Sequence, residues 1–115
     1  MSIVRHQPAK ILSGAVEANG MVYVAGTAAS TLPASVKAQT AEILGKIDAL
    51  LAAAGSSKSK IVSATIWVTD IRFRDEMNEA WLAWVDPANL PARACVEAKL
   101  ANPQMFVEIA VIAVK

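Results

Sequence analysis

Apolar and polar positions recur in two periods along this chain, and the switches between them mark its elements. Ile3-Val4-Arg5 is a short candidate strand ended by Pro8. Ile11 to Glu17 and Met21 to Ala25 are apolar runs on either side of Asn19-Gly20. Asn-Gly between such runs predicts a hairpin, because both residues accept positive φ. Gly26 is expected to stop the second strand where a backbone amide can approach a ligand closely, or to serve only as a turn residue. Thr27 to Leu32 reads as a polar loop, with Pro33 in the first turn of a helix. From Ala34 to Ala54 the period is helical. Val36, Thr40, Ile43, Leu44, Ile47, Leu50 and Leu51 share one face, and Gly55 caps the end.

Lys60 to Thr69 is a β-branched run with apolar residues on both faces, as expected near the middle of a sheet. Asp70 can cap the segment that follows. Phe73, Met77, Ala80, Trp81 and Trp84 then lie on one helical face, and Asp86-Pro87 ends this helix. Asn78 sits beside the apolar stripe, either as a solvated helix residue or as a polar group looking into a cleft. Two strands close the chain, within Leu90 to Glu97 and Met105 to Ala113, joined through an Asn102-Pro103 turn. The order is strand, hairpin, helix, strand, helix, strand, strand. It predicts one α+β domain spanning residues 1–115, a sheet with two helices stacked on one face. The other sheet face would remain apolar.

Composition sharpens that last point. Hydrophobic residues make up 55% of 115 and charged ones 18%. A small domain has little interior, so the surplus predicts a face buried against other copies of the chain, a homo-oligomer. Net charge is +1 without a basic tract, which argues against nucleic acid as a partner. No apolar run is long enough to span a membrane, and the N-terminus lacks the apolar stretch of a signal peptide, so no membrane partner and a cytoplasmic location are expected. One Cys and one His exclude an intrachain disulfide and are too few for a typical zinc site. His6 is a possible general base but reads as a solvated residue near a terminus. The tryptophans read as core or interface anchors.

Two charges stand out of pattern. Arg93 follows a Pro-Ala strand entry, and Glu108 interrupts the apolar run Val107 to Ala113. A charge in apolar surroundings is costly unless paired or used. Arg is suited to grip a carboxylate through two N–H···O bonds. A carboxylate in an apolar strand is suited to move a proton. The bland reading of Arg93 is a structural ion pair at a subunit interface, with Glu97 or Glu108 as candidate partners. The two residues are 15 positions apart across one turn (108 − 93), a spacing that allows them to lie on paired strands of a single subunit.

The segments Pro91-Ala92-Arg93-Ala94-Cys95-Val96-Glu97 and Val107-Glu108-Ile109-Ala110-Val111-Ile112-Ala113, in this order and at this separation, resemble the RidA/YjgF family of reactive-intermediate deaminases. Gly20 to Gly26, Lys60 to Asp70, and Met77-Asn78 with Trp81 and Trp84 are similar to further family segments, so the resemblance covers nearly the whole chain. It implies a chorismate-mutase-like, RidA-like fold with a mixed sheet, and a trimer whose sheets meet in a central β-barrel with sites between subunits. It implies a hydrolase that needs no cofactor or metal and converts enamine and imine intermediates such as 2-aminoacrylate to 2-oxo acids and ammonia. Arg93 matches the carboxylate-binding arginine and Glu108 the residue that positions or activates water. Cys95, Gly26 and Asn78 match substrate-contacting positions. The chain departs from the family pattern at Leu12 and Ala25, where a tyrosine and a serine are usual, and at Thr27 in place of a frequent glutamine. The loop Leu100 to Phe106 also differs. A more apolar pocket and a bulkier substrate are expected. Two other functions stand beside deamination: a trimer that binds small carboxylates without turnover, and RNA cleavage with translation inhibition, which the near-neutral charge disfavours.

Overall fold

The computed structural model describes residues 2–115. Strands β1 (Val4–Pro8), β2 (Ser13–Ala18) and β3 (Met21–Ala28) are followed by helix α1 (Val36–Ala53), strand β4 (Ile61–Val68), helix α2 (Arg74–Trp84), and strands β5 (Ala92–Glu97) and β6 (Val107–Val114). The strands form one six-stranded sheet in the order β1-β2-β3-β6-β4-β5. The β4–β5 pair is parallel and the others are antiparallel, so the sheet is mixed. It is open, with β1 and β5 at its edges.

The local signals explain most of this. Asn19 and Gly20 take φ of 53° and 72°, and Ala18 faces Met21, which makes the tight hairpin expected of Asn-Gly. Gly55 takes φ of 77° after α1. Its N–H and that of Ser56 bond back to the Ala52 and Leu51 carbonyls, closing the helix C-terminus. The stripe from Val36 to Leu51 is buried as the periodicity required.

Two boundaries differ from the sequence reading. Pro33 does not open α1. Ser35 is the N-cap, its hydroxyl accepting the Ala38 N–H at 3.1 Å, which is a stronger start signal than proline. Gly26 does not end β3 either. The strand continues to Ala28 through a shift of register between Val24 and Thr27. A bulge bends and twists a strand without terminating it.

Both helices cover the same sheet face. Val22, Val24, Ile43, Leu44, Ile47, Ile66, Met77, Ile109 and Val111 form the core between the layers. The opposite face carries Val16, Tyr23, Ile112, Ala110, Trp67 and Val96, joined across the strands by the pairing register. Tyr23 and Val96 are each 44% exposed there, so this second apolar face is uncovered within one chain.

Candidate functional site

Strand pairing decides where the two out-of-pattern charges go. Residues directly opposite one another on neighbouring strands point to the same side of the sheet. Arg93 lies opposite Ala64, a core residue, and therefore faces the helices. Glu108 lies opposite Trp67 and faces away from them. Strand β4 runs between β5 and β6. The two last strands are thus not paired, and the pairing that the spacing of Arg93 and Glu108 allowed does not form. The turn between them is not a hairpin but a crossing over the end of β4. Within one chain the two side chains are on opposite faces and cannot share a ligand.

Each belongs to its own cluster. Arg93 is half-buried beneath α2. Its Nη1 donates to Asn78 Oδ1 at 2.7 Å, and its guanidinium carbon lies 5.3 Å from the centre of the Trp81 ring. Asn78 and Trp81 are three residues apart on α2, so one helix face presents a hydrogen-bond acceptor and an aromatic platform together. Cys95, two residues along β5, shares the helix-facing side and packs against the core. Burial pushes the Arg93 value below that of an ordinary arginine. The Cys95 sulfur opposes this and the Arg74 charge adds to it. Arg93 takes part in none of the ion pairs formed among the described residues. Within one chain Arg93 thus has no salt bridge to Glu97 or Glu108, which leaves an ion pair across a subunit interface as the alternative to ligand binding. Glu97 accepts instead from the Ile71 N–H at 3.0 Å.

Glu108 stands over the bulge in β3. A Cβ placed on Gly26 would collide with Glu108 Oε2, so the carboxylate occupies the space that a side chain there would fill. The glycine serves close approach, by a side chain of its own subunit. Gly26 also lines a cleft of about 400 Å³ with Leu12, Ala25, Lys46 and Leu50. Three positions that depart from the family pattern, Leu12, Ala25 and Thr27, thus line the same cleft.

Three features escaped the sequence reading. Gln39 was invisible to apolar counting, yet it is fully buried. Its Nε2 donates to the Ala34 and Gln104 carbonyls, and its Oε1 accepts the Phe106 N–H, which fixes the entry to β6 one residue before Val107. His6 is not simply solvated: its Nε2 lies 2.5 Å from Glu17 Oε2, and Lys115 Nζ is 2.6 Å from Glu17 Oε1. Trp81 read only as an anchor, since its role beneath Arg93 depends on β5 passing under α2. Among the described residues, no group of three or more His, Cys, Asp or Glu side chains could hold a metal ion. No helix is long and apolar enough to cross a membrane.

Comparison with known proteins places this geometry. The model of the endoribonuclease L-PSP family matches residues 3–115. A RutC family protein of Haemophilus influenzae is 44% identical over 114 residues, 98% of each chain. The RutC family protein YoaB of Escherichia coli K12 is 41% identical over 113 residues, again 98% of each. The crystal structure of a YjgF family member from Neisseria meningitidis superposes with a TM-score of 0.96 at 41% identity, covering 100% of this chain and 96% of the other. With sequence, strand order and helix placement in agreement over its full length, this chain belongs to the RidA/YjgF family.

Proposed function

We propose that the protein is a homotrimeric hydrolase of 2-imino and 2-enamino acids, with its active sites between subunits. Arg93 of one subunit grips the substrate carboxylate, and Glu108 of a neighbour positions the water. The observation that carries this reading is the state of Arg93: half-buried, held by Asn78 and Trp81, and without a carboxylate partner. A guanidinium so placed uses one of its five N–H donors on Asn78 and has others free for an incoming anion. The opposite facing of Arg93 and Glu108 supports a shared site only if two chains build it. The uncovered apolar sheet face supplies the surface on which chains would meet.

The chemistry asks little of the protein. Glu108 takes a proton from water as its oxygen attacks the imine carbon, and the imine nitrogen is protonated. The resulting carbinolamine loses ammonia while its hydroxyl gives up a proton and becomes the 2-oxo group. Positioning and one acid/base group suffice for so facile a hydrolysis. Cys95 and Gly26 contribute contacts at the two halves of the site. No cofactor or metal enters this scheme.

A second reading, binding of a 2-oxo acid without turnover, is favoured by Leu12 and Ala25, which bring no hydroxyl to the cleft. The description of the family model as an endoribonuclease suggests a third, RNA cleavage. The net charge of +1 and the lack of a basic tract disfavour it. The deciding experiment generates imino acids transiently with an amino-acid oxidase and follows ammonia release. Wild type accelerates release and Arg93→Ala does not. Equal rates for the two would sink the mechanism, while 2-oxo acid binding without acceleration would establish the binding-only reading.

A further inference from the structure

The Arg93 cluster contains a second cation that the hydrolysis scheme leaves unused. Arg74 opens α2, four residues before Asn78, and so stands one turn earlier on the same side of the helix as the residue that holds Arg93. The two positive charges repel across this space. Neither is neutralised: among the described residues no ion pair includes Arg74 or Arg93.

Asp75 makes no ion pair with either arginine, and the other carboxylates nearby are committed elsewhere. Asp70 is taken by Arg72, through contacts of 2.6–3.1 Å to both of its oxygens. Glu97 accepts the Ile71 N–H. Glu76 accepts the Lys37 N–H at 2.9 Å, and Glu79 lies 3.9 Å from Lys37 Nζ. Two neighbouring guanidiniums that form no ion pair are a receptor for negative charge. One carboxylate, held by the fork of Arg93, would leave the Arg74 charge unanswered.

We infer that Arg74 and Arg93 form a two-anion site, and that the substrate is a 2-imino dicarboxylate, its 2-carboxylate on Arg93 and its distal carboxylate on Arg74. This rests on the assignment of Arg93 as the carboxylate anchor and specifies the substrate class of that same site. It also gives a reason for the position of Arg74. A positive side chain in the first turn of a helix opposes the helix dipole.

The test compares two stable product analogues, 2-oxoglutarate and 2-oxobutanoate, by calorimetric titration against wild type, Arg74→Ala, Arg74→Lys, Arg72→Ala and Arg93→Ala. Wild type is expected to bind the dicarboxylate about tenfold more tightly, the effect of one added charge-assisted contact. In Arg74→Ala this ratio falls to about one, whereas Arg74→Lys keeps part of it. Arg72→Ala, which removes an arginine already paired, keeps the wild-type ratio. Arg74 is exposed, so its variants are expected to fold. A ratio near one in wild type, or a ratio that Arg74→Ala leaves unchanged, overturns the two-anion site while Arg93 remains the anchor. If Arg93→Ala binds both ligands as wild type does, the anchor itself is refuted and this inference goes with it.

Discussion

Arg93 and Glu108 leave the sheet on opposite faces, one opposite Ala64 on the helix side and the other opposite Trp67 on the uncovered side. A site that uses both must take them from different copies of the chain. Arg93→Ala and Glu108→Gln are each expected to be inactive alone. When the two variants are co-expressed or mixed through refolding, activity returns, with about a quarter of the sites intact if subunits assort randomly. Ammonia release from transient imino acids measures it. No recovery, in mixed oligomers verified by mass, would exclude a shared site.

Gly26 and Glu108 are coupled sterically. Gly26→Ala puts a methyl group where Glu108 Oε2 lies. The obstructing atom is the tip of a flexible side chain, so the carboxylate moves and the fold survives. Stability should change by about 1 kcal/mol or less. Turnover should fall about tenfold or more, because the carboxylate no longer holds water at the reacting carbon. A thermal melt and a kcat measurement on the same preparation separate the two effects. An unchanged kcat would remove Glu108 from the mechanism.

Asn78 holds Arg93 by one charge-assisted hydrogen bond of 2.7 Å. Its loss in Asn78→Ala frees the guanidinium to swing and leaves a half-buried donor unpaired. The affinity for a 2-oxo acid is expected to fall roughly tenfold, equivalent to about 1.5 kcal/mol. Titration calorimetry reads it directly. Undiminished affinity would show that Trp81 and the strand alone fix Arg93.

The loop after β3 is tied to α1 by Glu42, which accepts the Ser30 and Thr31 N–H groups and lies 3.3 Å from Lys46. The Ser30 N–H does most to hold the Glu42 carboxyl down, from an ordinary 4.5 to about 2, against the opposing effect of burial. A carboxyl with a depressed folded value contributes stability that is complete above the unfolded value and is lost as the pH falls through the folded one. The melting temperature should therefore decline as the pH is lowered from about 4.5 towards 2. Glu42→Gln should flatten this decline. Asp70, lowered to about 2 chiefly by its side-chain hydrogen bonds with Arg72, loses its contribution in the same region, so the slope is reduced rather than abolished. An identical slope in the variant would show that the loop clamp does not contribute.

How much of this was legible in the chain depended on the range of the interaction involved. The Asn19-Gly20 hairpin, the buried stripe of α1 and the Gly55 cap are settled within a few residues, by backbone sterics and helical period, and the sequence determined them. It also marked Arg93 and Glu108 as misplaced charges, because a charge among apolar neighbours is costly wherever the chain goes. It could not say which way either pointed. Both sheet faces are apolar, so alternation along β6 gave no inside or outside, and Glu108 looked like an intrusion into the core when it stands on the uncovered face. The insertion of β4 between β5 and β6, the bulge that brings Gly26 under Glu108, and the passage of β5 beneath Asn78 and Trp81 were decided only by the tertiary structure. Each depends on pairing between strands distant in sequence, where hydrogen-bond register and burial of whole faces, rather than the preferences of individual residues, fix the outcome.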